Sequence, residues 1–319
     1  MMKKIRIGII GSGYIAQEAH IPAFRAMEDV EIAALLGKRP EHTAVVASRF
    51  GIEYAAKNLD DFLKRDLDAV ALLTPKTVRG EFLQPLLDAG LDVLVEKPLA
   101  STLAECEQMV NASKKAGRMI MVVFNRRYSP IYRQGIEAFD GCAPQHILAL
   151  KCREFQEYRA TLENAIHMLD LFRYILGECK TVEAAAHGKD PFYEELCTAQ
   201  LTFENGSIAL LSASRQAGQW CERMEMFGGN QTVIMEPPKR LRIILAEHEE
   251  RRDMAQLYKG LPNAMALMGF YDCDRHFIDC VKSRQVPLTS AEDAYQTHML
   301  LNCVLEKAGL PDLTRKWEE

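Results

Sequence analysis

In the first 123 residues, two patterns of hydrophobic positions alternate along the chain. Short apolar runs, partly β-branched, predict strands that are covered on both faces, as in a parallel sheet. These runs are Ile5–Ile10, Val30–Leu36, Ala69–Leu73, Val93–Val95 and Met119–Val123. Segments with helical spacing separate them, namely Ile15–Met27, Glu41–Phe50, Leu59–Lys64, Gly80–Ala89 and Leu103–Ala116. This alternation predicts a doubly wound α/β domain over residues 1–123, with its ligand at the carboxyl ends of the strands.

From about residue 124 the pattern changes to consecutive strands with few helices between them. The predicted strands are Gln145–Cys152, Thr181–His187, Cys197–Phe203, Ser207–Ser214, Arg223–Phe227, Thr232–Met235 and Leu241–Leu245. Helical spacing returns in Leu162–Leu176, Asp274–Lys282 and Ala291–Gly309. We therefore predict a second, α+β domain over residues 124–319 with a mostly antiparallel sheet. No predicted helix clearly covers one face of that sheet, so we expect a homodimer or homotetramer.

Composition excludes several classes of protein. The 319 residues carry a formal net charge of −5 and no long basic run, which argues against binding to nucleic acid or to an anionic membrane. No apolar stretch is long enough to span a bilayer, and no signal peptide is predicted. The nine cysteines include no C-x-x-C pair, so we expect reduced thiols, a cytoplasmic location and no metal site.

The turn after the first strand carries small residues at the spacing G-x-G-x-x-A. Gly11 permits a tight turn, Gly13 allows close approach of a pyrophosphate, and Ala16 allows helix and strand to pack closely. Tyr14 and Ile15 complete this turn. The pattern predicts a dinucleotide site, and an ordinary strand–turn–helix corner is the alternative.

The end of the second strand bears on the choice between NAD and NADP. An NAD site usually places an acidic residue there, whereas this chain reads Gly37-Lys38-Arg39. Cations bind a 2′-phosphate, so NADP is preferred over NAD unless these charges only belong to a solvated loop.

Two further strand ends and one helix carry candidate chemistry. Thr74-Pro75 and Glu96-Lys97 follow strands at the edge expected to face the nicotinamide, and partial burial would make Lys97 a usable proton acceptor or donor. In the helix Leu162–Leu176, a polar stripe lies opposite the apolar face; it consists of Glu163, His167, Asp170 and Tyr174. A histidine flanked by carboxylates suits proton transfer, but a solvated helix face would look the same.

Together these motifs resemble the Gfo/Idh/MocA oxidoreductases. The resemblance rests on Gly11–Ala16, Thr74-Pro75, Asp92–Ala100 with its Glu-Lys-Pro motif, Asn125–Pro130 and His167–Asp170. It implies a Rossmann domain followed by a substrate-binding and oligomerisation domain. It also implies that Lys97 contacts substrate and nicotinamide, that the bond before Pro98 is often cis, and that His167 is the active-site histidine.

The resemblance implies an NAD(P)-dependent dehydrogenase or reductase acting on a sugar, polyol or sugar acid. Glu163, Arg127 and Asp170 are its candidate substrate-binding residues. Glu163 stands where the family often has Asp, and Arg79 where it often has His, so Arg79 either favours an anionic substrate or faces solvent. The alternative function is a non-catalytic sensor of dinucleotide or sugar on the same fold.

Overall fold

The chain is described by a computed structural model that covers residues 4–154, 159–188, 194–258 and 260–314. It divides into two compact units. The first consists of residues 1–125 and 258–295, and the second of residues 126–257 and 296–319. The sequence predicted one boundary near residue 123, whereas in this division the chain leaves the first unit, returns to it and leaves it again.

The first unit contains a six-stranded parallel sheet. Its strands are β1 (Ile5–Ile10), β2 (Val30–Leu36), β3 (Ala55–Ala56), β4 (Ala69–Leu72), β5 (Asp92–Val95) and β6 (Ile120–Val122). Their order across the sheet is β3-β2-β1-β4-β5-β6, so the order reverses at β1. Such a reversal opens a crevice at the carboxyl ends of the strands, where ligands of these folds bind.

Helices connect the strands of this sheet. They are α1 (Ile21–Arg25), α2 (Pro40–Phe50), α3 (Leu59–Leu63), α4 (Arg79–Asp88) and α5 (Leu103–Ala116). Asn58 and Thr102 cap α3 and α5 by accepting a backbone N–H through their side chains. The segment predicted as one helix over Ile15–Met27 instead begins as a π-helix over Ala16–His20 and continues as α1. A π turn is wider than an α turn, and hydrophobic spacing does not register the difference.

The second unit contains an eight-stranded, mostly antiparallel sheet, as predicted. Its strands are β7 (His146–Cys152), β8 (Cys179–His187), β9 (Leu196–Phe203), β10 (Ile208–Ser214), β11 (Cys221–Gly228), β12 (Gln231–Glu236), β13 (Arg240–Leu245) and β14 (His248–Asp253). The order is β14-β13-β12-β11-β7-β10-β9-β8, and only the β7–β10 pair is parallel among the described pairs. Burial alternates along β9 and β10, so one face of the sheet is packed and the other is open.

The second unit contains two helices before β8. They are α6 (Pro130–Glu137) and α7 (Ile166–Leu176), and a π-helix over Ala160–Ala165 leads into α7. The sequence predicted a single helix from Leu162 and did not predict α6 or the polar strand β14.

The chain then forms α8 (Asn263–Leu267), α9 (Phe270–Ser283) and α10 (Ala291–Lys307), and the division between the units falls inside α10. Several contacts join the returning segment to the first unit. Arg275 forms an ion pair with Asp29, Arg284 with Asp92, and the side-chain amide of Asn125 donates to the Met268 carbonyl. Residues 258–295 are therefore part of the unit that holds the dinucleotide motif.

Candidate active site

A cavity of about 980 Å³ lies along the carboxyl ends of the strands in the first unit. Gly11 shapes its floor, since its φ is +114° and an added Cβ would lie 2.9 Å from the Leu73 carbonyl oxygen. A Cβ at Gly13 would meet nothing within 4 Å and would project into open space. The turn thus leaves bare backbone beside the cavity, which is what close approach of a pyrophosphate requires.

Ten of the eleven residues predicted to bind cofactor line this cavity. They are Gly11, Gly13, Tyr14, Ile15, Lys38, Arg39, Thr74, Pro75, Glu96 and Lys97. Ala16, the eleventh, is fully buried beneath the turn, in agreement with a role in packing. The sequence did not single out His42, Lys57, Asn58, Thr77, Val78 and Phe82, which also line the cavity.

At the end of β2, Gly37 packs closely against the Ser12 and Thr43 side chains. A Cβ there would lie 2.4 Å from Thr43 Oγ1 and 2.5 Å from Ser12 Oγ. Ser12 and Thr43 are buried, and their hydroxyl oxygens are 3.4 Å apart. An acidic residue, which an NAD site usually has here, would need these two side chains to move.

Cations follow Gly37 along the cavity wall. Lys38 and Arg39 are exposed, and neither forms an ion pair with a residue in the described part of the chain. Lys57 and His42 line the same end, and His42 Nε2 lies 3.2 Å from the Ser12 carbonyl oxygen. This end of the cavity therefore has a positive lining.

Arg79 does not face solvent, and its guanidinium donates hydrogen bonds to two backbone carbonyl oxygens. The side chain is buried, and it donates to the carbonyl oxygens of Thr74, at 3.0 Å, and of Pro98. Arg79 thereby ties the end of β4 to the Lys97–Pro98 turn, and that peptide bond is cis, as the resemblance implied. Burial contradicts the interpretation in which Arg79 faces solvent, whereas Arg79 also lines the cavity, so the interpretation in which it favours an anionic substrate stays a prediction.

Behind Lys97, three buried charged side chains form what we call the His20 cluster, consisting of His20, Glu96 and Asp274. His20 Nδ1 lies 2.9 Å from both carboxylate oxygens of Asp274, and Nε2 lies 3.1 Å from Glu96 Oε1. Burial disfavours the imidazolium, but the charges and hydrogen bonds of Asp274 and Glu96 outweigh it and raise the pKa of His20 to about 10. His20 is therefore positively charged at neutral pH.

The two carboxylates of the His20 cluster differ in their surroundings. Burial disfavours the Glu96 carboxylate, but His20, Lys97 and Arg79 outweigh that effect and lower the pKa of Glu96. Burial raises the pKa of Asp274, against the attraction of His20. Glu96 is thus an anion on the cavity wall, next to Lys97 in the chain. His20 and Asp274 were not among the predicted site residues, because they are 254 positions apart.

In the second unit, His167 is the second residue of α7 and is buried, directly after the π-helix. The predicted stripe is not a solvated face, because His167 and Asp170 are buried whereas Tyr174 is exposed. Asp170 accepts two hydrogen bonds from Arg127, at 2.8 and 2.6 Å, and one from Thr297 at 3.1 Å. Arg127 and Asp170 thus form a bidentate buried ion pair, whose geometry suits holding α7 in place.

A second set of buried charges, the Glu222 cluster, consists of Glu222, Arg126, Lys151 and Tyr132. Arg126 donates to the two carboxylate oxygens of Glu222 at 2.9 and 2.8 Å. Tyr132 donates to Oε1 at 2.8 Å, and the Lys151 ammonium donates to Oε2. Lys151 and Glu222 stand opposite each other in β7 and β11. None of these four residues was singled out from the sequence.

Neither a metal site nor a membrane span is found in the part of the chain that the structure describes. Its histidine, cysteine and acidic side chains form no group of three suited to holding a metal ion. Its helices include none that is both long and apolar enough to cross a membrane.

Comparison with known proteins gives a consistent result over both units. Residues 5–124 match the family model described as "Oxidoreductase family, NAD-binding Rossmann fold", and residues 153–234 match that of the "GFO/IDH/MocA C-terminal domain". Myo-inositol 2-dehydrogenase of Thermotoga maritima is 26% identical over 317 residues, covering 93% of this chain and 94% of that protein. The 4-carboxy-2-hydroxymuconate-6-semialdehyde dehydrogenase of Sphingobium is 28% identical, covering 96% of this chain and 100% of that protein.

Solved structures share the fold over nearly the whole chain. Aldose-aldose oxidoreductase of Caulobacter crescentus, with bound glycerol, superposes with a TM-score of 0.85 at 24% identity, covering 96% of this chain and 98% of that one. A 3-ketoreductase of Actinomadura kijaniata, solved with NADP, gives a TM-score of 0.79 at 24% identity, covering 94% of this chain and 96% of that one. An oxidoreductase of Agrobacterium radiobacter, solved with NAD+, gives a TM-score of 0.84 at 20% identity, covering 96% of this chain and 97% of that one. The chain belongs to the Gfo/Idh/MocA family of NAD-binding oxidoreductases.

Proposed function

We propose that this chain is an NADP-dependent dehydrogenase or reductase that acts on a CH–OH group of a sugar, polyol or sugar acid. The observation that carries the cofactor preference is the end of β2. An acidic side chain in place of Gly37 would displace the hydroxyls of Ser12 and Thr43, and Lys38 and Arg39 follow Gly37 on the wall of the cavity. A 2′-phosphate carries negative charge, so this lining attracts it where an acidic residue would repel it.

The proton chemistry is assigned to Lys97 and His167. When bound, the nicotinamide gives or takes the hydride. Lys97 lies on the wall of the cavity, half-buried beside Glu96, where its ammonium polarises a substrate oxygen and holds or releases its proton. His167 serves as the second group in that proton exchange. Family membership favours this enzyme over a non-catalytic sensor.

Named relatives support a carbohydrate-like substrate. They include myo-inositol 2-dehydrogenase of Thermotoga maritima, D-apiose dehydrogenase of Paraburkholderia graminis and UDP-N-acetylglucosamine 3-dehydrogenase of Acidithiobacillus ferrooxidans. All three names describe oxidation of a sugar or polyol. No cysteine of the nine, all in described positions, forms a disulfide, and this supports a cytoplasmic location.

A homodimer or homotetramer is part of the proposal. The open face of the second unit's sheet carries a shallow depression of about 630 Å³, lined partly by Leu148, Leu150 and Leu210. Leu150 is 41% exposed and Ile208 38% exposed. Light scattering at micromolar concentration should give a multiple of 36.0 kDa. A 36 kDa particle would contradict this part of the proposal.

The cofactor preference is tested by fluorescence titration of NADPH and NADH. We expect NADPH to bind more tightly to the wild type, and Lys38→Ala/Arg39→Ala to weaken NADPH while sparing NADH. Charge-assisted contacts are worth about 1.5–3 kcal/mol each when desolvated and less when exposed. Lys114→Ala/Lys115→Ala removes the same charge outside the cavity and should leave both affinities unchanged. Equal affinities for NADH and NADPH in the wild type would refute the preference.

The reaction is tested by screening aldoses, polyols and uronates for NADP+ reduction or NADPH oxidation. On an active substrate, Lys97→Met should lower kcat/KM by roughly 10²–10⁴, the range for a lost general acid or base. His167→Asn should also slow turnover, while NADPH affinity changes little in either variant. Lys64→Met, a surface lysine outside the cavity, is the matched control. Full activity of Lys97→Met would overturn the assignment of Lys97.

A further inference from the structure

The His20 cluster connects two regions of the chain, neither of which was predicted to take part in the chemistry, to Glu96. Glu96 lies beside Lys97, the proposed proton donor. His20 ends the π-helix Ala16–His20, and Asp274 lies in α9 of the returning segment. Both side chains have no exposed surface. Burying one cation and two carboxylates costs free energy, and a hydrophobic trio of similar volume would avoid that cost. The proton exchange described above uses neither His20 nor Asp274.

The contacts of the cluster form a continuous series that begins in α9 and ends at the cavity wall. Asp274 holds His20 Nδ1 through both of its oxygens, at 2.9 Å. His20 Nε2 meets Glu96 Oε1 at 3.1 Å, and the other oxygen, Oε2, accepts the backbone N–H of Lys97 at 3.1 Å. Both oxygens of Glu96 are thereby engaged, one by the imidazolium and one by the residue that lines the cavity.

Aromatic rings enclose the imidazole. The Phe270 ring meets it edge-on, with centroids 5.4 Å apart, and the Phe24 ring lies parallel to it at 6.4 Å. These rings exclude water from His20, so its charge acts on Glu96 in a poorly screened environment. The remaining charged group beside Glu96 is Arg79, whose guanidinium is engaged by the Thr74 and Pro98 carbonyls.

We propose that His20 and Asp274 are positioning residues for Lys97, acting through Glu96. Asp274 orients the His20 imidazolium, and the imidazolium holds and offsets the Glu96 carboxylate. Glu96 in turn fixes the backbone at Lys97 and sets the negative charge that the Lys97 ammonium experiences. This inference rests on the proposed role of Lys97.

The direction in which His20 and Glu96 shift the pKa of Lys97 follows from their charges. With His20 in place, part of the Glu96 charge is neutralised by the imidazolium. Without it, the carboxylate attracts the Lys97 proton more strongly and raises the pKa of Lys97, which makes the neutral amine scarcer near neutral pH. Removing the Glu96 carboxylate has the opposite effect, because the attraction itself disappears.

The test measures Lys97 directly and needs no substrate. Competitive acetylation with isotope-labelled acetic anhydride across pH 7–10, read by peptide mass spectrometry, reports the fraction of Lys97 present as free amine. We expect His20→Gln to slow acetylation of Lys97 by roughly tenfold at pH 8, corresponding to about one pKa unit. Glu96→Gln should speed it. His276→Gln, the same substitution elsewhere on α9, should leave the curve unchanged.

The double variant His20→Gln/Glu96→Gln separates action through Glu96 from a general loss of structure. We expect its Lys97 curve to match that of Glu96→Gln alone, because His20 has no carboxylate left to offset. Identical curves for wild type and folded His20→Gln would overturn the inference, as would an unchanged Glu96→Gln. If His20→Gln does not fold, His20→Asn, which carries the same amide on a shorter side chain, replaces it in both comparisons. Because labelling requires no turnover, failure to find a substrate would count against the proposed function and not against this inference.

Discussion

The His20 cluster and the Glu222 cluster are both buried, and their charges are arranged in opposite ways. In the first, one imidazolium lies between two carboxylates, whereas in the second one carboxylate receives Arg126, Lys151 and Tyr132. The central group of the first cluster, the His20 imidazolium, has a pKa of about 10, so it is charged at neutral pH and loses its proton in alkaline solution. Among the partners in the second, the guanidinium keeps its charge at all ordinary pH values. The His20 cluster thus has a titratable cation at its centre, whereas the Glu222 cluster includes a guanidinium that does not titrate.

Removing the central carboxylate of the Glu222 cluster should have the largest effect. Glu222→Gln takes away the anion that Arg126 and Lys151 both contact, and breaking a buried ion pair in this way costs about 3–5 kcal/mol of unfolding free energy. Urea denaturation followed by circular dichroism measures it. Glu225→Gln, on the same strand but in a partly exposed pair with Arg223, should cost less. Equal losses for the two variants would show that burial does not distinguish them.

The neutral member of the Glu222 cluster should contribute less. Tyr132→Phe removes one buried hydroxyl that donates to a carboxylate, and such hydrogen bonds are worth about 1.5–3 kcal/mol. The loss should be measurable as a lower urea midpoint with an unchanged slope. Tyr54→Phe is the control, because its hydroxyl donates to Asp61 at the surface, and it should lower the midpoint by less. If the urea midpoint of Tyr132→Phe equals that of the wild type, the Tyr132 hydroxyl does not contribute to the stability of the fold.

The His20 cluster should make the unfolding free energy depend on pH. The pKa of His20 is raised from 6.5 to about 10 on folding, so its stabilising contribution is complete below pH 6.5 and is lost as pH rises toward 10. One such group lowers the unfolding free energy by up to about 1.4 kcal/mol per pH unit within that window. Measurements between pH 6.5 and 7.5 stay about one unit below the ordinary pKa of a cysteine thiol. His20→Gln should flatten this decline, and an equally steep decline in that variant would assign it to other groups.

The sequence predicted what depends on neighbouring residues. β1 and β2 match their predicted bounds because each is an apolar run, interrupted once by Arg6 or by Glu31, that ends at a glycine turn or loop. α5 matches because Thr102 caps its start and Gly117, with φ +60°, ends it. The cavity residues follow from the same logic, since the carboxyl ends of parallel strands meet at one edge of the sheet.

What the sequence did not predict depends on residues far apart. Nothing near His20 indicates that Asp274 will contact it, and the Lys151–Glu222 pair depends on the register of β7 against β11. Arg79 was interpreted as a ligand-binding or solvated side chain, because its carbonyl partners appear only once Thr74 and Pro98 are brought together. The burial of Asp170 likewise depends on Arg127 and Thr297, which lie on other parts of the second unit.

The position of Asp274 also bears on when the first unit is completed during synthesis. Asp274 follows Glu96 by about 180 residues, which at 5–20 residues per second takes roughly 10–40 s. During that interval the strands β1–β6 leave the ribosome without the carboxylate that orients His20 and without Arg275 and Arg284, which pair with Asp29 and Asp92. The nascent dinucleotide-binding half therefore emerges with its buried cation lacking one of two counter-ions. These native contacts form only once residues 258–295 are available, and that segment is translated after most of the second unit.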